Sequence, residues 1–143
     1  MKIGKILVPH DGSKNADRAF EYALDIAKKY NSKVLVASCI LVQNQLPEYS
    51  TIEEETILER QREAASRLVE ILELRAADAE VSFKGVILKT SSVSDAILSY
   101  AEKNNVDIIV SGSRGLGGFK RLVLGSVASS LVQYAKCPVL IVK

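Results

Sequence analysis

Apolar residues fall into two kinds of stretch along this chain, short continuous runs and longer segments with helical spacing. Largely apolar runs predict strands at residues 3–8, 33–42, 106–110 and 139–142, and a loosely alternating stretch predicts a further strand at 81–88. Apolar positions three and four residues apart predict four helices between them, at 13–30, 52–77, from the cap cluster 90–95 to 105, and 125–136. Strands and helices alternate strictly, and this order predicts a parallel sheet with right-handed crossovers.

The alternation predicts a single α/β domain over residues 1–143. We expect an open, Rossmann-like sheet of five parallel strands in the order 3-2-1-4-5, with helices on both faces. Ligands of such sheets bind at the carboxyl ends of the strands, where the strand order reverses direction. In this order the reversal lies between strands 1 and 4. The loops Pro9 to Ser13 and Gly112 to Gly125 should therefore face each other.

The connection from the fourth strand to the last helix is the most distinctive stretch of the chain. It runs from residue 112 to 124, whereas such connections usually have about 2–6 residues. It contains four glycines and three basic residues: Gly112, Gly115, Gly117, Gly118, Arg114, Lys120 and Arg121. A glycine-rich turn that leads into a helix N-terminus favours anion binding. The alternative at this point is a flexible surface loop with a solvated basic face.

Two common phosphate-binding motifs do not fit this loop. The P-loop pattern needs a glycine followed directly by lysine, and none of these glycines is. The dinucleotide pattern fails because the third glycine has the wrong offset and no helix follows at once. The loop does match the spacing Gly112-x2-Gly115-x9-Gly125-Ser126.

Composition and charge narrow the classes of partner. Apolar residues make up 48% of the chain and charged residues 25%, with a net charge of +2. Acidic and basic residues are interspersed, which argues against a nucleic-acid partner. No apolar stretch approaches the length of a membrane span, and Cys39 and Cys137 lack the C-x-x-C spacing. We expect a cytoplasmic protein with two reduced core thiols.

In the glycine spacing given above, the chain resembles the universal stress protein family, in its ATP-binding branch. The resemblance covers essentially the whole chain. Its most specific parts are ILVPHDGS at 6–13, VDIIV at 106–110, the loop signature at 112–126 and CPVLIV at 137–142. It implies the adenine nucleotide alpha-hydrolase-like variant of the predicted fold.

The resemblance also implies a set of nucleotide-binding residues. At the base and ribose these are Pro9, His10 and Asp11, with Cys39 beside the adenine. Around the ribose and phosphates they are Gly112, Arg114, Gly115, Gly125, Ser126 and Val127. The expected ligand is ATP with Mg²⁺ bridging its phosphates, because no cluster of protein metal ligands exists. The chain departs from the family pattern at 91–93 and at Ala128, where some members carry a hydroxyl.

Several of these residues also have a purely structural interpretation. Asp11 could cap the first helix or close an Asx-turn, His10 could serve the backbone or the packing, and Cys39 could be a core residue. Asp107 is expected to mark a strand start without contacting a ligand.

The expected function is an ATP-binding stress-response regulatory protein, in which the nucleotide acts as ligand or switch with little or no turnover. Apart from His10 and Asp11, the converging loops offer no residue that could activate a water. A slow ATP hydrolase and a nucleotide-free interaction module remain alternatives. The apolar final strand, Val139 to Val142, is expected at a sheet edge, where it would pair with a second copy to form a homodimer. A protein partner is expected but not identified.

Overall fold

The computed structural model describes residues 2–42, 51–116 and 124–143. Within them, strands and helices alternate as β1 (Lys5–Pro9), α1 (Lys14–Tyr30), β2 (Lys33–Leu41), α2 (Ile52–Asp78), β3 (Ser82–Thr90), α3 (Val93–Lys103), β4 (Ile108–Gly112), α4 (Ser126–Tyr134) and β5 (Val139–Val142). The five strands form one parallel sheet in the order β3-β2-β1-β4-β5, which confirms the predicted order and fold class.

The central strand β1 sets the geometry of the sheet. Its pairing with β2 ends where Pro9 lies opposite Ala37, and the His10 N–H then donates to the Ala37 carbonyl at 2.9 Å. On its other side β1 pairs with β4. The Asp107 carboxylate accepts the N–H groups of Gly4 and Lys5 at 2.8 and 2.9 Å, so it aligns the starts of these two strands. This structural role fits the interpretation of Asp107 as a strand-start residue.

Each face of the sheet buries its own apolar cluster. Helices α1 and α2 cover one face, where Phe20 and Leu72 are fully buried against strand residues such as Val8. Helices α3 and α4 cover the other face, where Ile97 and Leu131 pack against the opposite sides of the same strands. Strands covered on both faces are apolar at successive positions, which explains the unbroken run in β2.

Several predicted boundaries differ from the structure. The first strand begins at Lys5 instead of residue 3, and the fourth strand spans Ile108–Gly112 instead of 106–110. The Val106 N–H bonds to the Ala101 carbonyl at the end of α3, so residue 106 still belongs to the preceding turn. The third strand spans Ser82–Thr90 because it stays paired with β2 through Thr90.

Two helical faces also differ from the prediction. The apolar spacing of the last helix predicts Leu131 and Val132 on the side that faces the sheet. Leu131 is buried as predicted, whereas Val132 is 52% exposed and Ala128 is buried in its place. The last helix ends at Tyr134, before the expected residue 136. In α2 the apolar spacing predicts Ile57 on the stripe that faces the sheet, but Ile57 is 55% exposed and the buried residues of this helix begin at Ala65.

Candidate functional site

A cleft of about 370 Å³ opens at the carboxyl edge of the sheet, between the ends of β1 and β4. All the residues that the sequence assigned to a nucleotide site line it: Pro9, His10, Asp11, Cys39, Gly112, Arg114, Gly115, Gly125, Ser126 and Val127. The strand order therefore brings together residues that are far apart in the chain. Gly117, Gly118, Lys120 and Arg121, which were also noted in the sequence, lie outside the described residues.

The cleft has further lining residues that the sequence did not assign individually to the site, although some lie in the two loops expected to converge. They are Ser13, Ala16, Ala37, Val93, Ile97, Ser111, Ser113, Leu116 and Ala128. The two-residue repeat of a strand and the four-residue spacing of a helix could have indicated several of them. Ala37 lies two residues before Cys39 on the same side of β2, and Val93 and Ile97 are four residues apart on α3.

Asp11 joins the two loops that form the cleft. Its Oδ1 accepts the Ser13 N–H at 3.0 Å, which closes an Asx-turn, and its Oδ2 accepts the Leu116 N–H at 3.1 Å. A Cβ atom on Gly115 would lie 2.4 Å from that Oδ2, so only glycine allows this approach. The structural interpretation of Asp11 is thus present. Each carboxylate oxygen keeps a further lone pair with which it can accept another hydrogen bond.

His10 is buried beneath the same loop, with a fully buried side chain. Its Nδ1 lies 3.0 Å from the N atom of Gly12, and its Nε2 lies 2.9 Å from Oδ1 of Asp17 on α1. The backbone N–H of Gly12 can only donate, so Nδ1 is the acceptor and Nε2 carries the proton. Burial lowers the pKa of His10 below its ordinary value of 6.5, although the hydrogen bond and the charge of Asp17 oppose this effect. The neutral ring therefore prevails at pH 7.

At the opposite side of the cleft, the N-terminus of α4 lacks a side-chain cap. Helices α1, α2 and α3 are each capped by a hydroxyl, from Ser13, Thr51 and Ser92 respectively. The N-cap of α4 is Gly125, and the first backbone bond of the helix runs from the Ser129 N–H to the Gly125 carbonyl.

Three donors are consequently open at the start of α4. The N–H groups of Ser126, Val127 and Ala128 have no hydrogen-bond partner among the described residues, and all three residues line the cleft. Such a helix end carries a partial positive charge that favours anions. The exposed Arg114 lies at the same cleft, and it forms no ion pair within the described part of the chain.

Gly112 has a different role from the other glycines. A Cβ atom there would lie 2.9 Å from the backbone carbon of Asn15, so Gly112 allows α1 to approach the end of β4 closely.

The far end of the cleft is apolar and exposes strand backbone. The Ala37 carbonyl points toward β1, where it accepts from His10, and alternation along the strand points the N–H and C=O groups of Cys39 to the same side. No residue of β1 lies opposite Cys39, because their pairing ends at Ala37. Val93 and Ile97 form an apolar wall nearby. Burial raises the pKa of the Cys39 thiol to about 11, so the thiol stays neutral and serves as packing.

The described residues contain no group of three or more acidic, histidine or cysteine side chains that could hold a metal ion. No helix in the same part of the chain is long and apolar enough to cross a membrane.

Comparisons with known proteins assign the chain to a family. The sequence model of the universal stress protein family matches residues 2–143. The universal stress protein YxiE of Bacillus subtilis is 31% identical over 149 residues, which cover 99% of each chain. The solved structure of hypothetical protein MJ0577 shares 27% identity, covers 100% of this chain and 97% of its own, and superposes with a TM-score of 0.86. A family protein from Arabidopsis thaliana with AMP bound shares the fold, with a TM-score of 0.69 and 24% identity over 98% of this chain and 91% of that one. The chain described here belongs to the universal stress protein family.

Proposed function

We propose that this protein binds ATP in the cleft between β1 and β4 and acts as a cytoplasmic stress-response regulatory protein, with the nucleotide as ligand or switch. The observation that carries the proposal is the open N-terminus of α4, where the N–H groups of Ser126, Val127 and Ala128 line the cleft without partners among the described residues. Phosphate oxygens would supply the acceptors that a capping side chain supplies in the other three helices. Arg114 would add positive charge for the distal phosphates.

The backbone of Cys39 favours adenine as the base. Its N–H and C=O have no partner on β1 and point into an apolar end of the cleft, and adenine presents an acceptor, N1, beside a donor, the exocyclic amine. Guanine presents a donor at N1 and an acceptor at O6, the reverse pattern, and would leave polar groups unpaired. The AMP bound to the Arabidopsis thaliana protein supports an adenine nucleotide in this fold. Mg²⁺ would be held through the phosphates, since the described residues provide no cluster of metal ligands.

The phosphate end can be tested by removing one backbone donor. Ser126 is the first residue of α4, where proline is well tolerated, and Gly125 before it has the extended conformation that a following proline requires. Ser126→Pro removes an N–H and a hydroxyl, whereas Ser126→Ala removes the hydroxyl alone. A hydrogen bond to a charged group is worth about 1.5–3 kcal/mol, so we expect Ser126→Pro to weaken ATP binding roughly 10- to 100-fold and Ser126→Ala much less.

Titration calorimetry with ATP, GTP and adenosine measures this. Adenosine lacks phosphates, so its affinity should be the same for wild type and both variants, and GTP should bind more weakly than ATP. If the wild type does not bind ATP at millimolar concentration, or if both folded variants bind ATP as tightly as the wild type, the proposed site is wrong.

We also propose that ATP is a ligand and hardly a substrate. Among the described lining residues, the only carboxylate is that of Asp11 and the only imidazole is that of His10, and both already have backbone partners in the β1 exit loop, residues 10–13. The family resemblance implies that both lie at the base and ribose end of the nucleotide, so neither would activate a water at the γ-phosphate. We expect phosphate release far below the roughly 1–100 s⁻¹ of kinases. Turnover within that range, abolished by Ser126→Pro, would support the hydrolase alternative instead.

The edge strand β5 offers a surface for assembly. We propose a homodimer that forms through β5, because this short apolar strand pairs with β4 on one side and has no strand on its other side among the described residues. An open apolar edge of this kind favours pairing with a second copy about a two-fold axis.

A further inference from the structure

We propose that the neutral imidazole of His10 is a positioning group for the nucleotide site, and that protonation of its Nδ1 releases the β1 exit loop and weakens nucleotide binding. The inference rests on the proposed function, since it concerns how tightly the same cleft holds its ligand. It assigns no direct contact with the nucleotide to the ring.

The ring holds the loop through one hydrogen bond. Gly12 has a φ of +86°, a left-handed conformation, and its N–H donates to Nδ1 of His10 at 3.0 Å. Asp11 lies between these two residues, and its carboxylate holds both Ser13 and Leu116. The position of Gly12 therefore determines where the Asp11 carboxylate lies, and through it the position of Leu116 at the cleft.

Protonation is incompatible with this arrangement. A proton on Nδ1 would point at the N–H of Gly12, so two donors would face each other across 3.0 Å. The ring cannot turn away, because its side chain is fully buried and its Nε2 is held by Asp17. The backbone at Gly12 is the part that can move, since glycine tolerates other conformations and the residue is exposed.

Charged groups from three elements face the imidazole. Asp17 of α1 contacts Nε2, Asp11 lies in the loop itself, and Arg75 of α2 approaches Asp17 Oδ1 at 3.3 Å. Burial lowers the pKa of His10 most strongly and the charge of Arg75 lowers it further, whereas the two aspartates raise it. Arg75 is itself fixed, since its guanidinium lies 5.1 Å from the ring centroid of Phe20.

The result is a ring that is neutral at pH 7.5 and takes up its proton below pH 6.5. A histidine whose pKa is lower in the folded state than in the unfolded chain stabilises the fold above pH 6.5, and this contribution is lost as the pH falls toward the folded-state value. Acid should therefore loosen the loop and also lower the stability of the protein.

Nuclear magnetic resonance tests the arrangement without any nucleotide. His10 is the only histidine of the chain, so its ring signals in a long-range ¹H–¹⁵N spectrum need no assignment. We expect an unprotonated Nδ1 and a protonated Nε2 at pH 7.5. The Gly12 amide should shift with the same midpoint as the ring, below pH 6.5. A proton on Nδ1 at pH 7.5, or a Gly12 amide that does not follow the ring, would overturn the inference.

Two variants of His10 separate the ring's two hydrogen bonds. Asparagine places an oxygen where Nδ1 lies and can accept the Gly12 N–H as an Asx-turn, but it does not titrate. Glutamine reaches toward Asp17 and leaves Gly12 without its acceptor. For each protein the measured quantity is the ratio of ATP dissociation constants at pH 5.5 and pH 7.5, so the protonation of ATP itself cancels between proteins.

We expect this ratio to be at least roughly fivefold larger for wild type than for His10→Asn, the cost of opposing one buried hydrogen bond. His10→Gln should bind more weakly than His10→Asn at pH 7.5. Equal ratios for wild type and His10→Asn would overturn the inference. If no protein binds ATP at either pH, the proposed function fails, and the Gly12 amide titration still decides the role of the ring.

A change at Asp17 gives a second test if the His10 variants do not fold. Asp17→Asn keeps an oxygen for Nε2–H but removes a charge that raises the pKa of His10. The ring titration should then move to lower pH, together with the acid weakening of ATP binding. A titration that moves upward, or binding that does not move with it, would contradict the proposal.

Discussion

Gly115 and Gly112 lack a side chain at positions where other atoms of the protein, those of Asp11 and Asn15, approach closely. A Cβ atom on Gly115 would meet the Asp11 carboxylate at 2.4 Å, and one on Gly112 would meet α1 at 2.9 Å. Valine at residue 115 would therefore displace Asp11 whether or not phosphates approach there. Gly125 is less constrained, with 3.4 Å to its nearest atoms, and Ser126 offers the cleaner test of the phosphate end.

Outside the cleft, the hydroxyl group of Tyr100 lacks a hydrogen-bond partner among the described residues. This hydroxyl, on α3, is buried, and burial raises its pKa. Tyr100→Phe removes this hydroxyl and keeps the ring. We expect the free energy of unfolding to stay equal or rise by up to about 1 kcal/mol.

Thermal unfolding at pH 7.5 checks this, with a rise of up to roughly 4 °C in Tm. Tyr134→Phe is the matched control, because Tyr134 is 64% exposed and its hydroxyl is free to bond with water. Its Tm should not change. A loss of stability in Tyr100→Phe beyond that of the control would show that the Tyr100 hydroxyl has a partner after all.

At the scale of the elements, the sequence predicted what local periodicity controls. All nine elements follow from apolar spacing and the βα alternation, and the structure confirms them together with the expected strand order. The converging loops followed from the strand order, and the predicted residues do line one cleft.

What the sequence could not show depends on contacts between distant residues. The sequence indicates Asp107 as a strand-start residue but not its partners, because its carboxylate bonds to Gly4 and Lys5, which lie about a hundred residues away in the chain. The same holds for the His10 ring, whose partner Asp17 is one helical turn into α1 and is in turn held by Arg75 of α2. The prediction that Val132 faces the sheet was wrong, because the spacing of Val132 and that of Ala128 both fit an apolar face of α4.

At the scale of the whole molecule, the open edge of β5 gives a prediction about assembly. Pro138 and Val142 carbonyls accept bonds from the β4 side, so alternation points the N–H of Ile141 toward the free edge. Ile141→Pro removes that donor and spares the ladder with β4. We expect the wild type to form a dimer of twice 15.6 kDa and Ile141→Pro to be a folded monomer.

Light scattering at micromolar concentration measures both masses. Ile141→Val keeps the N–H and should remain dimeric, which separates the backbone bond from the side chain. Leu140 and Val142 are poorer targets, because they pack into the cluster beneath α1 and α2. A wild-type mass near 15.6 kDa would rule out the interface.

The position of β1 at the centre of the sheet also determines when its two edges can pair during synthesis. β1 is the first strand to be made, and its partner β2 follows within a few dozen residues, but Ile6 pairs on its other side with Ile108. At roughly 5–20 residues per second, about 5 to 20 s separate these two partners on the ribosome. During that interval one edge of the central strand is unpaired, together with the apolar side chains that α4 later covers. The nascent chain is thus most exposed to aggregation before β4 emerges, and the cleft is completed only once α4 has been made.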